Sequence, residues 1–249
     1  MISFIRRPLV THLWMPSIFL FIAVWGFWPF YSEGLGYRHH PLIPDIRWQL
    51  VIHGGLMSLW LILFWIQSLC IAVSRRQIHR RLGYLAILIA VTIAGQASIL
   101  AMASVRLLPH EVLINMLSPK QFLIIPLFNV TVFSLCVLGA VLNRNHPHIH
   151  RGLMGFATLS ILSAAMGRID AISSLYARSW IENLSGPYFP VIVLGLIICL
   201  VDRWQKGGWN RSFMWTLGLF SVSVPFVILT SKTPLWDSFS TFLLDVSDV

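Results

Sequence analysis

The sequence predicts an all-α fold, a polytopic membrane helix bundle with about seven transmembrane helices and a cytoplasmic N-terminus. Three observations predict it: the composition, the length of the apolar runs, and the uneven distribution of Lys and Arg. Hydrophobic residues make up 57% of the 249 residues and Asp, Glu, Lys and Arg only 11%. An ordinary globular domain carries roughly 25% charged residues, so this chain lacks the polar shell that a water-facing core of its size needs. Its solvent is lipid.

A helix rises about 1.5 Å per residue, and about 20 apolar residues therefore cross a hydrocarbon core of about 30 Å. The runs that qualify are residues 13–31, 49–73, 82–105, 121–142, 153–169, 188–201 and 213–229. They are continuous rather than alternating, which excludes a lipid-facing barrel pattern. The first is long, rich in Trp and Phe, and has no Ala-x-Ala-like cleavage site, so it is expected to stay as helix one. The sixth is the shortest, with Pro187 and Pro190 suited to its first turn.

Orientation follows from the basic residues, because positive loops resist translocation. With the N-terminus inside, Arg6, Arg7, Arg75, Arg76, Arg80, Arg81, Arg144, Arg151, Arg203, Lys206 and Arg211 are cytoplasmic, 11 of 18. Asp202 is then the one acidic residue on that side. The formal charge of +9 is thus a topology signal; it points to anionic lipid headgroups at the inner face as a partner, and not to nucleic acid. Cys70, Cys136 and Cys199 all lie inside apolar runs, where neither a disulfide framework nor a CxxC metal pair is expected.

The connections are short, so one transmembrane domain is expected over residues 1–249. The longest outer loop carries Gly34, Gly36, Pro41 and Pro44, which is turn chemistry. Residues 234–249 place Trp236, Phe239 and Leu243 at helical spacing beside Asp237 and Asp245, as in an amphipathic helix on the outer surface. One internal echo stands out: Ile78-His79-Arg80-Arg81-Leu82 opens helix three and Ile149-His150-Arg151-Gly152-Leu153 opens helix five. Two origins fit it, duplication of a helix pair or recurrence of basic interfacial residues at cytoplasmic helix starts.

Several constellations bear on chemistry. His53, Met57, Trp60, Phe64 and Gln67 share one face of helix two. Polar groups there avoid lipid, so the stripe faces the interior, either packing or lining a pocket. Gln96, Ser98, Asn129, Thr131, Thr158, Ser160 and Ser163 are further intramembrane polar residues suited to interhelical hydrogen bonds. No Asp, Glu or Lys sits near a run centre, which disfavours an ion-coupled pump. At the inner rim stand His79, His146, His148 and His150. Imidazole is a common ligand of transition metals and of haem iron, so His79 and His150, with His148, are candidate metal ligands, and His79, His150 and His53 candidate cofactor ligands. The alternative is interfacial histidines that bind headgroups among arginines. At the outer rim, His39, His40, Asp45, His53, His110, Arg168 and Asp170 form a second set. Asp170 with Arg168 reads as an ion pair, and His53 with a carboxylate as a general base or metal site.

His53-Gly54-Gly55 followed by Trp60, Phe64 and Gln67, then His79-Arg80-Arg81-Leu82-Gly83, resembles the opening half of a family of uncharacterised bacterial multi-pass membrane proteins. Pro126-Leu127-Phe128-Asn129, His150-Arg151-Gly152-Leu153-Met154 and Ala164-Ala165-Met166-Gly167-Arg168 match its later motifs. Gly152 departs from the pattern, which has Arg there. The resemblance implies a bacterial inner-membrane location and brings no established activity. More loosely, the layout is similar to that of small histidine-bearing membrane cytochromes. Three functional classes fit: a histidine-ligated haem or metal redox protein; a non-enzymatic accessory or assembly subunit with membrane-complex partners; and a small-molecule or lipid transporter or lipid-modifying enzyme. Serine or cysteine catalysis, P-loop and dinucleotide motifs are not found in the sequence.

Overall fold

The computed structural model describes residues 2–36, 41–108, 113–114 and 116–246, with the main chain alone for residues 2–10 and Lys206. Arg38, His39, His40 and His110 lie outside the described residues. The described chain is all-helical, with two isolated β-bridges and no strands. The principal helices are α1 (Ile2–Gly26), α2 (Arg47–Ala72), α3 (Arg76–Leu107), α4 (Ile124–Leu142), α5 (Pro147–Ser160), α6 (Phe189–Lys206), α7 (Arg211–Thr230) and α8 (Pro234–Val246).

Among the described residues, six segments are long and apolar enough to cross a membrane: Pro44–Ala72, Arg76–Leu107, Pro119–Leu142, Pro147–Met166, Trp180–Gln205 and Arg211–Thr230. The apolar part of α1, Thr11–Gly26, is shorter than these. The outward surface is greasy: Leu88, Val91, Leu135, Leu219 and Phe226 are all more than 60% exposed. Water would penalise such a continuous apolar surface and lipid does not.

Two segments differ in outline from the apolar runs. The sixth begins earlier than residue 188, at Trp180, and bends at Gly186, whose φ of +52° is strained for any side chain. The fifth is interrupted at Ile161 and Leu162 before resuming as Ser163–Met166. Just ahead of that break, the Thr158 hydroxyl donates to the Met154 carbonyl and the Ser160 hydroxyl to the Ala157 carbonyl. Hydroxyls bonded back to their own helix loosen its ladder and bend it.

The fifth segment is the hub. It packs against α4, α7 and α6, and its Ser163–Met166 portion against α1. Small residues allow this crowding, because between lipid-immersed helices close backbone approach replaces the hydrophobic effect as the source of packing energy. A Cβ on Gly26 of α1 would sit 2.3 Å from the Ala165 carbonyl oxygen, and one on Gly152 would sit 2.6 Å from Asn210 Oδ1. A side chain therefore has no room at Gly152. Below the hub, Phe156 meets Phe213 and Phe220, and Phe220 meets Tyr188 and Phe128. The Tyr188 hydroxyl, fully buried, donates to the Ile125 carbonyl at 2.9 Å.

The bundle has two chemically different ends. One gathers the starts of α3, α5 and α7 and the end of α6, where Arg151 and Asp202 pair at 2.7 Å among exposed Arg75, Arg76, Arg80, Arg144, Arg203 and Arg211. At the other, α8 packs on the end of α3 and on the short helix Pro119–Phe122. Cys70, Cys136 and Cys199 are free and buried.

Candidate functional site

The interior stripe of α2 is bonded along its length. At one end, His53 Nδ1 donates to Gln96 Oε1 on α3 at 2.7 Å, and Gln96 Nε2 donates to the Gln49 carbonyl at 2.8 Å. Two turns further, Trp60 is 1% exposed, its indole N–H donates to Thr158 Oγ1 at 3.3 Å, and its ring meets Phe133 edge-on at 4.9 Å. Phe64 stacks on Phe19. Trp60 is therefore packed between α4 and α5.

At the basic end the stripe closes on the histidines. His79 and His150 lie with ring centroids 6.2 Å apart and planes at 83°. His150 Nδ1 donates to the Ala140 carbonyl at 2.8 Å, which leaves Nε2 with its lone pair. His79 Nδ1 lies 3.3 Å from the Gln67 main-chain carbonyl, and donating there leaves His79 Nε2 in the same state. A second arrangement is available when the Gln67 amide is turned over: its nitrogen donates to His79 Nδ1 at 2.5 Å and to the His79 carbonyl at 3.0 Å, and its oxygen accepts from Gly83 N–H at 3.0 Å. The proton then sits on His79 Nε2. The two arrangements are two tautomers of one imidazole.

The echo between helices three and five has a spatial counterpart here. Each histidine bonds a carbonyl on the helix before its own, and seven residues before each of those carbonyls stand Trp60 and Phe133, which touch. The hairpins α2–α3 and α4–α5 thus place corresponding residues against one another at two levels.

His148 does not join the pair. It is exposed, and its carbonyl accepts from Asn210 Nδ2 at 3.3 Å; two residues apart on a helix, it faces away from His150. Among the described residues no three His, Cys, Asp or Glu side chains converge as a metal cage. Arg168 donates to the Ala164 carbonyl and lies over the Phe27 ring at 4.6 Å. Asp170 is exposed at the start of the turn Asp170–Ser173. Asn129 Nδ2 donates to Ser163 Oγ at 3.0 Å, joining α4 to the hub.

Hairpin symmetry is the signal that finds the partners missed from sequence. A tight turn pairs positions roughly equidistant from it, and on either side of Val73–Arg75 these are His53 with Gln96, and Gln67 with His79. The turn at Asn143–Asn145 pairs Ala140 with His150 in the same way.

The fold is that of a multi-pass helical membrane protein, a class supported by the six long apolar segments. No family model matches the chain, and neither do any curated proteins or solved structures.

Proposed function

We propose that the chain is a bacterial inner-membrane protein of seven crossings with a cytoplasmic N-terminus, whose basic end holds an imidazole-ligated metal centre for electron transfer. The observation that carries this reading is the His79–His150 pair. Two ring nitrogens each about 2.0–2.1 Å from one ion put the ring centroids about 6 Å apart in a linear arrangement, and the pair stands at 6.2 Å. Ligating histidines characteristically hand their other ring N–H to a carbonyl, which fixes tautomer and orientation. His150 does so with Ala140, and His79 has the Gln67 carbonyl within reach. Haem iron and a bare copper or iron ion share this donor chemistry.

A visible spectrum and metal analysis of the purified protein test the reading. A Soret band assigns haem. One equivalent of copper or iron without that band assigns a bare ion. Absence of both signals overturns the proposal.

The second Gln67 arrangement favours another reading, in which the pair is a structural clasp. There the Gln67 amide donates to His79 and ties α2 to α3, as the His150–Ala140 bond ties α5 to α4, and the two rings meet edge-on without a metal. Full thermal stability in a metal-free sample, unchanged by added copper or haem, is the outcome that selects it.

A further inference from the structure

The opposite end of the bundle carries a different feature. A cavity of about 400 Å³ opens sideways between α3, α4, α7 and α8, within the range of small-ligand sites. Ser98 and Thr131 stand at its inner limit and Trp236, Phe239 and Leu243 of α8 at its outer limit, with Leu127 and Phe128 between. Ser98 lies nine residues before the end of α3 and Thr131 seven residues after the start of α4, so the groove runs about 10–13 Å along the helix axes. Its walls are apolar, and its hydroxyls are already engaged, Ser98 with the Ala94 carbonyl and Thr131 with the Leu127 carbonyl. Little is left to hold water.

Helix α8 is fastened over the outer limit by three polar contacts. Trp236 Nε1 donates to the Lys120 carbonyl at 2.9 Å, Lys120 Nζ to Thr241 Oγ1 at 3.1 Å, and Arg106 to the Leu244 carbonyl. The helix nevertheless leaves Leu235, Phe239, Phe242 and Val246 exposed, a stripe at i, i+4, i+7 and i+11. Such a stripe lies in the interfacial plane of a bilayer. A groove parallel to the membrane-crossing helices, open on their lipid side and beginning beneath an interfacial helix, has the direction and the chemistry of one lipid tail.

We infer that this groove is a binding site for an acyl chain of a bilayer phospholipid, seated between α3, α4 and α7 beneath α8. The site is independent of the histidine pair. Its headgroup lies at the rim beside Lys120 of the short helix and Arg106 of α3, with Asp237 and Asp245 of α8 as counter-charges.

Native mass spectrometry of the delipidated protein, titrated with phosphatidylglycerol or phosphatidylcholine bearing the same chains, tests the site. One molecule of either lipid should be retained per chain. Thr131→Trp fills the groove and should lower retention at least tenfold, as should Ser98→Phe from the opposite wall. Leu200→Trp, on the exposed side of α6, which contributes nothing to the groove, should retain lipid as the parent does. Retention by the parent of neither lipid overturns the inference. So does undiminished retention by whichever filling variant keeps its helical circular dichroism and monomeric elution. Should both filling variants misfold, a nitroxide on the acyl chain must broaden the Thr131 and Leu127 methyl signals of the parent before those of Leu200 on α6, and the reverse order overturns the site.

Discussion

Asn210 caps helix α7 directly over the bare backbone of Gly152: its Oδ1 accepts from Phe213 N–H at 3.1 Å and would lie 2.6 Å from any Cβ at position 152. The same hypothetical Cβ would sit 2.9 Å from the Phe213 nitrogen, so it cannot be accommodated without loss of the cap. Gly152→Ala should therefore destabilise the protein by about 1–3 kcal/mol, the usual size of overpacking and cap loss. The measurement is the unfolding free energy in mixed micelles, with Gly155→Ala as the milder comparison, since there the one tight approach of a Cβ is to the flexible end of Met15 at 3.0 Å and Phe213 is at ordinary contact, 3.7 Å.

Trp60 joins three helices, and its ring and its N–H can be separated. Trp60→Ala should cost about 3–5 kcal/mol, as large core truncations do. Thr158→Val should cost only about 0.5–1.5 kcal/mol, the net worth of one hydrogen bond. A double-mutant cycle between Trp60→Phe and Thr158→Val should show coupling; strict additivity would mean that the 3.3 Å contact contributes nothing.

Arg151 and Asp202 form an ion pair with unequal partners, the carboxylate side chain 9% exposed and the guanidinium 36%. Removing Arg151 takes the ion-pair partner from a buried carboxylate, whereas removing Asp202 leaves the cation in reach of water. Arg151→Met should thus be the more damaging of the two, by about 1–3 kcal/mol after allowance for the arginine's exposure. Arg151→Met with Asp202→Leu together should recover part of that loss. Equal effects of the two single changes would show that the pair's asymmetry has no energetic consequence.

Should the basic end hold a metal, His79→Ala and His150→Ala must each abolish it, while His148→Ala leaves the stoichiometry unchanged. Spectra and metal content of the three proteins decide. Loss of metal in the His148 protein would require a ligand arrangement other than the pair at 6.2 Å.

Alkaline phosphatase fused after Arg76 or after Arg144 should be inactive, and after Gly34 active, if the N-terminus is cytoplasmic. The inverse pattern would reverse the whole bundle, since the structure holds both ends of every helix fixed relative to one another.

The six long segments were legible in the sequence because lipid demands unbroken apolar length, and the interior face of α2 was legible because polar groups must leave lipid. Neither rule sees where a helix bends. The interruption at Ile161 and Leu162 and the positive φ of Gly186 depend on local backbone geometry and on hydroxyl bonds back to the helix, which apolar length does not report. Pairings across long separations were equally hidden: Arg151 read as a topology charge, and its partner Asp202 stands 51 residues away. The histidine cluster was legible as a cluster, but membership was not. His148 and His150 differ by two positions and so face opposite ways on one helix, which spacing states only once the helix is known to begin at Pro147.

Gly26 on the first helix fits against the Ala165 carbonyl of the fifth segment, and this has a bearing on biogenesis. The docking surface for the end of α1 does not exist until most of the chain has been synthesised. Helix α1 can pair early with α2, its immediate neighbour in space as well as in sequence, but its final seat must wait for the hub. The local hairpins can therefore close before α1 reaches its final seat against the fifth segment, a seat that the missing side chain at Gly26 makes possible.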